Sequence, residues 1–207
     1  MKKIAVGPKA KGAIDLEATP TQNLKSVAKS TGKEVSDLTV IILDRPRHED
    51  IVKEVREAGA RIKFILDGDV AGGIATALDY TGVDLLMGIG GAPEGVLTAA
   101  ALKCLGGDMQ AQLHFRNQSE IEKAAKMGIN NTNKIFNISD LVQGEDAIFS
   151  VTGITDGELL NGVRYNGGQA ETHSIVMRSK TKTVRQIKAT HKIEHKPSYF
   201  KQGIANL

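Results

Sequence analysis

The clearest structural signal in this chain is the segment Val83-Asp-Leu-Leu-Met-Gly-Ile-Gly-Gly-Ala-Pro-Glu-Gly95. It begins as a short apolar run, which is typical of a buried strand in a parallel sheet. Its glycines at positions 88, 90 and 91 lack side chains, so a ligand can approach the backbone closely. Pro93 suits the start of a helix, and an Ala- and Leu-rich segment continues from Leu97 to Leu105. The stretch therefore predicts a strand, a glycine turn and a helix, in that order.

Two similar units precede this stretch. They are predicted as strand Leu38–Leu43, loop Asp44–His48 and helix Glu49–Ala58, then strand Arg61–Leu66, loop Asp67–Asp69 and helix Val70–Leu78. Strands that alternate with helices at this spacing indicate a parallel sheet with right-handed crossovers. We therefore expect an α/β fold, a layered sandwich built mostly of parallel βαβ units.

The remaining segments give weaker signals. They are predicted as strand Ile4–Val6, helix Thr21–Lys29, strand Gln110–Phe115, helix Ser119–Met127, strands Asp146–Gly153 and Ser174–Ser179, a hairpin through Thr181–Thr183 into Val184–Ile193, and a poorly held tail Pro197–Leu207. Because no linker interrupts them, residues 1–207 are expected to form a single α/β unit with a mixed C-terminal β portion.

Composition and charge argue against several classes of function. The net charge of +3 is too small to indicate nucleic acid, and the basic run from Arg178 to Lys192 is better explained as the solvated face of a hairpin. No apolar run approaches the roughly 18 residues that a membrane span needs, and no signal-peptide pattern is present. The single cysteine, Cys104, fits a reducing cytoplasm and is predicted to lie in the core.

The loops after the three strands should meet at one place. In open α/β sheets, ligands bind beyond the carboxyl ends of the strands, so all three loops are expected at the same edge. Together they offer two arginines, a histidine and three carboxylates around a glycine-lined floor: Arg45, Arg47, His48, Asp67, Asp69 and Glu94. Arginine suits phosphate, and carboxylates suit sugar hydroxyls and Mg²⁺ or Mn²⁺. The set predicts the site of a metal-dependent sugar-phosphate phosphatase.

Each of these residues also has a simpler explanation. These are surface pairing of Arg45 and Arg47 with Asp44 or Glu49, helix capping by Asp69, dipole compensation by Glu94, and a solvated or capping position for His48. A functional site is favoured because all three loops carry groups that suit phosphate or metal. A dinucleotide site is disfavoured, since Pro93 stands where the third glycine of G-x-G-x-x-G would be.

Five longer motifs resemble those of the class II fructose-1,6-bisphosphatases. They are Lys3-Ile-Ala-Val-Gly-Pro8, Leu43-Asp-Arg-Pro-Arg-His48, Asp67-Gly-Asp-Val70, Gly88-Ile-Gly-Gly-Ala-Pro-Glu-Gly95 and Ala99-Ala-Ala-Leu-Lys-Cys-Leu-Gly-Gly107. The resemblance implies a sugar-phosphatase-like fold and a cytoplasmic homo-oligomer. It also implies hydrolysis of fructose 1,6-bisphosphate to fructose 6-phosphate in gluconeogenesis, with Mn²⁺ or Mg²⁺ as cofactor. Some bacterial members of the family also act on sedoheptulose 1,7-bisphosphate.

The resemblance also assigns roles to residues. It implies that the substrate-binding residues are Arg45, Pro46, Arg47, Asp67, Gly68, Asp69 and Gly91, and that Glu94 is a metal ligand. Asp67 and Asp69 then face the sugar and do not bind the metal. The family's metal-site motif Asp-Pro-x-Glu-Gly-Thr does not occur in these 207 residues, so the chain resembles the C-terminal part of the family's chain. We therefore expect little or no phosphatase activity from this chain alone, and the alternative is a catalytically inactive sugar-phosphate-binding domain.

Overall fold

A computed structural model describes residues 1–157 and 159–197, and six strands in these ranges form the first sheet. They are β1 Lys2–Val6, β2 Thr39–Leu43, β3 Arg61–Ile65, β4 Leu85–Ile89, β5 Asp108–Gln112 and β6 Ile135–Asn137, in the order β3-β2-β4-β1-β5-β6. Strand β2 pairs in parallel with β3 and β4, whereas β1 runs antiparallel to both β4 and β5. The α/β class is as predicted, but the sheet is mixed, because β1, between β4 and β5, and the edge strand β6 run opposite to the other strands.

Six α-helices lie in the same described ranges. They are α1 Pro20–Thr31, α2 Glu49–Glu57, α3 Asp69–Ala75, α4 Ala92–Leu105, α5 Gln118–Lys126 and α6 Ile138–Leu141. Helix α1 begins with a capping box in which Thr19 accepts a hydrogen bond from the backbone of Gln22, and it ends at Gly32 with a φ of 67°. Such signals are local in sequence, so the first five helices lie close to their predicted positions.

Three buried apolar clusters fill the spaces between the layers of the fold. Leu24 of α1 and Ile42 of β2 belong to the cluster between α1, α2 and one face of the six-stranded sheet. Ile41 and Leu102 belong to the cluster between the other face and α4. A third cluster joins α3 and α4 to a second sheet and includes Cys104, which is 1% exposed. Helix α4 is thus packed on two sides, which explains its apolar composition, and the core position predicted for Cys104 is confirmed.

The second sheet is antiparallel and contains the predicted hairpin. Its strands are β7 Ile148–Thr152, β8 Arg164–Asn166, β9 Gln169–Arg178 and β10 Thr183–Lys192, in the order β10-β9-β7 with β8 also paired to β9. Lys182, in the turn between β9 and β10, has a φ of 52°. Strands β6 and β8 and helix α6 were not predicted, because three or four residues are too short to show a hydrophobic period.

None of the helices in the described ranges has the length and apolar character required to cross a membrane. The tail predicted for Pro197–Leu207 lies, from residue 198 onward, outside the described residues.

Candidate functional site

The loops that follow β2, β3 and β4 lie together at one edge of the six-stranded sheet, because these three strands are parallel. Side chains of the first loop reach the other two. Arg45 Nη2 donates to the carbonyl oxygen of Leu66 at 2.6 Å, and Arg47 donates through Nε and Nη2 to the carbonyl oxygen of Ile89 at 3.0 and 2.8 Å. The predicted meeting of the three loops is therefore confirmed.

Both arginines of the first loop keep their charge free for an anion. Pro46 begins a short 3₁₀ turn, Pro46–His48, and the flanking Arg45 is extended. The guanidinium groups donate to backbone carbonyl oxygens and not to the carboxylates of Asp44 or Glu49, so the alternative explanation by surface pairing is wrong. These contacts use two of the five N–H donors of each guanidinium. The donors that remain can bind phosphate in the bidentate geometry that suits arginine.

The second loop contains one exposed and one buried carboxylate. Asp67 is exposed, and its Oδ1 accepts a hydrogen bond from the backbone N–H of Gly68 at 2.9 Å. Gly68 has a φ of 66°, a left-handed conformation that glycine adopts without strain. Asp69 is the first residue of α3 and is only 5% exposed. Its carboxylate does not cap the helix, so the capping explanation for Asp69 is wrong.

The partner of Asp69 is Lys3, a residue that the sequence did not indicate. Lys3 Nζ is 2.5 Å from Asp69 Oδ2 and 3.0 Å from the carbonyl oxygen of Gly91. A Cβ at Gly90 would overlap Asp69 Oδ2, so glycine at position 90 makes room for this ion pair. Lys3 was missed because a fully parallel sheet would put the start of β1 at the opposite edge. The antiparallel direction of β1 brings it to the loops instead.

The third loop places Glu94 against Gly91. Gly91 is the N-cap of α4, and a Cβ at this position would overlap Glu94 Oε2. Within residues 1–157 and 159–197, no group of three or more His, Cys, Asp or Glu side chains is arranged to hold a metal ion. Glu94 offers one hard oxygen ligand, so these residues alone do not fit a Mn²⁺ or Mg²⁺ site. The metal-ligand role of Glu94 stays a prediction.

His48 is buried, so the solvated position expected for it is wrong. It does occupy the N-cap position of α2, but its side chain makes no capping hydrogen bond. Its side chain is fully buried, with Nδ1 2.7 Å from the carbonyl oxygen of Leu43 and Nε2 2.8 Å from the backbone nitrogen of Ile89. The histidine thereby joins the end of β2 to the end of β4. Sequence patterns did not reveal this, because the contact with Ile89 depends on how the two strands are placed side by side.

A cavity of about 560 Å³ opens beside Arg47 and Gly91. Its far wall is the loop after β5, which includes His114 and Arg116. Strand β5 runs in the same direction as β4, because both are antiparallel to β1, so this loop reaches the same edge. The sequence placed His114 inside a strand and therefore missed this wall. The amide and guanidinium of Arg116 hold the pKa of the half-buried Glu120 below its ordinary value.

The loop edge brings together Arg45, Arg47, the buried carboxylate of Asp69 and the backbone of Gly91. Of these groups, Arg47 and Gly91 border the cavity of about 560 Å³, whereas Arg45 and Asp69 do not line it. This arrangement suits a ligand that combines phosphate with hydroxyl groups. The eight predicted site residues lie in the three loops or in the first turn of the helix that follows, where Asp69 begins α3 and Glu94 belongs to α4. Lys3, His114 and Arg116 are additions that the tertiary structure makes.

Comparison with known proteins identifies the family. Residues 1–191 match the family described as bacterial fructose-1,6-bisphosphatase, glpX-encoded. The fructose-1,6-bisphosphatase class 2 of Haemophilus influenzae is 42% identical in an alignment 207 positions long, which covers 94% of this chain and 62% of the relative. The D-fructose 1,6-bisphosphatase class 2/sedoheptulose 1,7-bisphosphatase of Synechococcus sp. (strain JA-3-3Ab) is 42% identical over 203 residues, which cover 92% of this chain and 58% of the relative.

The chain thus spans about three-fifths of the length of these relatives. The family match extends over β1 to β10 almost completely, and it includes all three loops of the site. The chain therefore belongs to the bacterial, glpX-encoded fructose-1,6-bisphosphatase family.

Proposed function

We propose that the edge formed by the loops after β2, β3 and β4 binds a sugar bisphosphate. We also propose that the whole protein hydrolyses fructose 1,6-bisphosphate to fructose 6-phosphate and phosphate, a step of gluconeogenesis. The observation that carries the proposal is the convergence of Arg45, Arg47, Asp69 and Gly91 at one edge, in a chain of this family.

Each of these groups suits a different part of the substrate. Arg47 borders the cavity of about 560 Å³ and has donors left over for a phosphate group. Asp69 gives Oδ2 to Lys3, so its other oxygen is available to accept a hydrogen bond from a sugar hydroxyl. Gly91 has no side chain between its backbone and the cavity.

The metal cofactor is also a proposal, and Glu94 is its candidate ligand. We propose Mn²⁺ or Mg²⁺ as cofactor because Glu94 lies beside the predicted substrate-binding Gly91. Since the described residues contain no three-ligand group, we assign no hydrolytic step to them alone. Little or no phosphate release is expected from this chain by itself.

The binding proposal is tested by titrating the isotopically labelled chain with fructose 1,6-bisphosphate and following its amide NMR signals. We expect shifts concentrated in residues 44–48, 67–69 and 88–95, and their loss in Arg47→Ala. Arg185→Ala is the matched control, since Arg185 is an exposed arginine on β10 of the second sheet. Shifts elsewhere, or unchanged binding by Arg47→Ala, would contradict the proposal. Sedoheptulose 1,7-bisphosphate in a parallel titration tests the second substrate named for the Synechococcus relative.

A second candidate is a sugar-phosphate-binding domain without catalysis. It is favoured by the absence of a three-ligand metal group from the described part of the chain. The two candidate functions are distinguished by measuring phosphate release with Mn²⁺ from a protein that is extended upstream along its genomic reading frame. Release that Glu94→Gln abolishes supports the phosphatase, whereas binding without release supports the second candidate.

We further propose a homo-oligomer in the cytoplasm. Strand β10 supports association, because Val184 and Ile187 are 39% and 42% exposed and the strand pairs only with β9 among the described strands. The single buried cysteine fits a reducing compartment. Sedimentation equilibrium tests the first point, and a monomer at all concentrations would contradict it.

A further inference from the structure

His48 is a buried histidine that the proposed function does not use. Its Nε2 is 2.8 Å from the backbone nitrogen of Ile89, and its Nδ1 is 2.7 Å from the carbonyl oxygen of Leu43. A backbone N–H can only donate, so Nε2 must be the acceptor. Nδ1 must then carry the proton and donate it to Leu43. The two contacts therefore specify the neutral Nδ1–H tautomer.

The residue held by His48 is also the one that holds Arg47. The N–H of Ile89 is bound by His48, and the carbonyl oxygen of Ile89 accepts two hydrogen bonds from Arg47. Arg47 and His48, which are consecutive in the first loop, thus bind both backbone polar groups of Ile89. Because Ile89 leads directly into Gly90 and Gly91, the orientation of Arg47 and the path of the third loop depend on the same residue.

The backbone beside the imidazole is shaped to fit it. Gly88 has a φ of 148°, and a Cβ at this position would lie 3.1 Å from His48 Nε2. An apolar side chain at position 48 would fill the space but leave the N–H of Ile89 without an acceptor. The contact is therefore specific to a group that accepts a hydrogen bond at the position of Nε2.

We propose that His48 is a positioning residue, which fixes Ile89 and through it both the side chain of Arg47 and the backbone that leads to Gly91. In a sugar-phosphate site, this contact sets the direction in which the remaining N–H donors of Arg47 point toward the phosphate. The effect on affinity rests on the proposed function, whereas the effect on Arg47 does not.

Two amide variants separate positioning from simple packing. In His48→Gln the amide oxygen can take the place of Nε2 and accept from Ile89, whereas in His48→Asn the amide nitrogen can replace only the Nδ1 donor. We expect fructose 1,6-bisphosphate to bind about tenfold more weakly to His48→Asn, and within about threefold of the wild type to His48→Gln. His195→Asn is the control, because the His195 side chain is 73% exposed. A folded His48→Asn with wild-type affinity would overturn the proposal.

A readout without ligand distinguishes this proposal from the proposed function. The Nε–H of Arg47 should exchange slowly with solvent in the wild type and faster in His48→Asn, and unchanged protection would overturn the proposal. If the wild-type chain binds no sugar phosphate, the proposed function fails, and the exchange of Arg47 still decides the role of His48. If the variants do not fold, ¹⁵N spectra of the wild type decide instead, and an Nε2–H tautomer would overturn the proposal.

Discussion

One lysine–aspartate pair lies at the start of strand β1, and a second lies just beyond its end. The two pairs have little in common except the short distance between their charged atoms. Lys3 Nζ is 2.5 Å from Asp69, with side chains 0% and 6% exposed, whereas Lys9 Nζ is 2.7 Å from Asp79, with side chains 70% and 82% exposed. The first pair links three elements at the loop edge, and the second joins two solvated turns. Burial, not distance, therefore decides which pair matters for the fold and for the site.

Removal of one lysine at a time is expected to give the largest difference between the two pairs. Lys3→Met leaves the carboxylate of Asp69 buried without its partner, and the free energy of unfolding should fall by about 3–5 kcal/mol. Urea denaturation at neutral pH measures the change. Lys9→Met is the matched control, with an expected loss below about 1 kcal/mol.

A double variant tests whether the stability lost in Lys3→Met comes from the unpaired charge of Asp69. Asp69→Asn in the Lys3→Met background removes the buried charge and should recover part of the lost stability. Equal losses for Lys3→Met and Lys9→Met would show that burial of the first pair has no energetic consequence.

Gly91→Ala tests whether the loop edge is shaped for a ligand more than for stability. Gly91 has φ −62° and ψ 150°, which alanine tolerates, but the added Cβ would displace the carboxylate of Glu94. We expect the free energy of unfolding to change by less than about 1 kcal/mol. The affinity for fructose 1,6-bisphosphate, measured by calorimetry, should fall by about tenfold or more.

The control for that substitution is Gly157→Ala. The nearest atom to a Cβ at Gly157 would be the carbonyl oxygen of Leu160 at 3.9 Å, so neither stability nor affinity should change. Wild-type affinity in Gly91→Ala would mean that position 91 does not shape the site.

Arg47→Lys makes a smaller change at the same edge. Lysine keeps the positive charge but cannot hold the carbonyl oxygen of Ile89 through two donors while it binds a phosphate. The affinity for fructose 1,6-bisphosphate should fall by about fivefold. Arg185→Lys on β10 should leave it unchanged, and equal effects of the two substitutions would argue against a specific role for Arg47.

The smallest expected effect concerns a carboxylate away from the loop edge. Glu54 accepts a hydrogen bond from the backbone N–H of Thr21 at 2.9 Å, which holds the pKa of Glu54 below its ordinary value of 4.5. A lowered pKa in the folded state means that the stabilisation is present above pH 4.5 and is lost as the pH falls through the lower value. As the pH falls, Glu54→Gln should therefore lose slightly less stability than the wild type loses.

Thermal unfolding between pH 7 and pH 3 measures this difference. Glu57→Gln is the control, since the Glu57 side chain is 65% exposed and lies 4.0 Å from Lys53. The same profile in Glu54→Gln and in the wild type would show that the contact with Thr21 does not stabilise the fold.

Local patterns in the amino-acid sequence were enough to predict the three βα units, the helix ends and the loops of the site. Apolar runs, capping residues such as Thr19, and glycines such as Gly32 act through neighbours in the chain, so they can be read without the fold. The predicted phosphate-binding and carboxylate residues also lie together, because parallel strands bring their ends to one edge.

The contacts that support those loops could not be predicted, because they depend on how distant strands pair. The direction of β1 is set by pairing of Lys2 with Ile89 and with Gln112, which are distant in the sequence, and no local pattern encodes it. That direction brings Lys3 to Asp69, and the placement of β2 beside β4 brings His48 to Ile89. A buried lysine or histidine looks like any polar residue in a sequence, because its partner is known only after distant strands have paired.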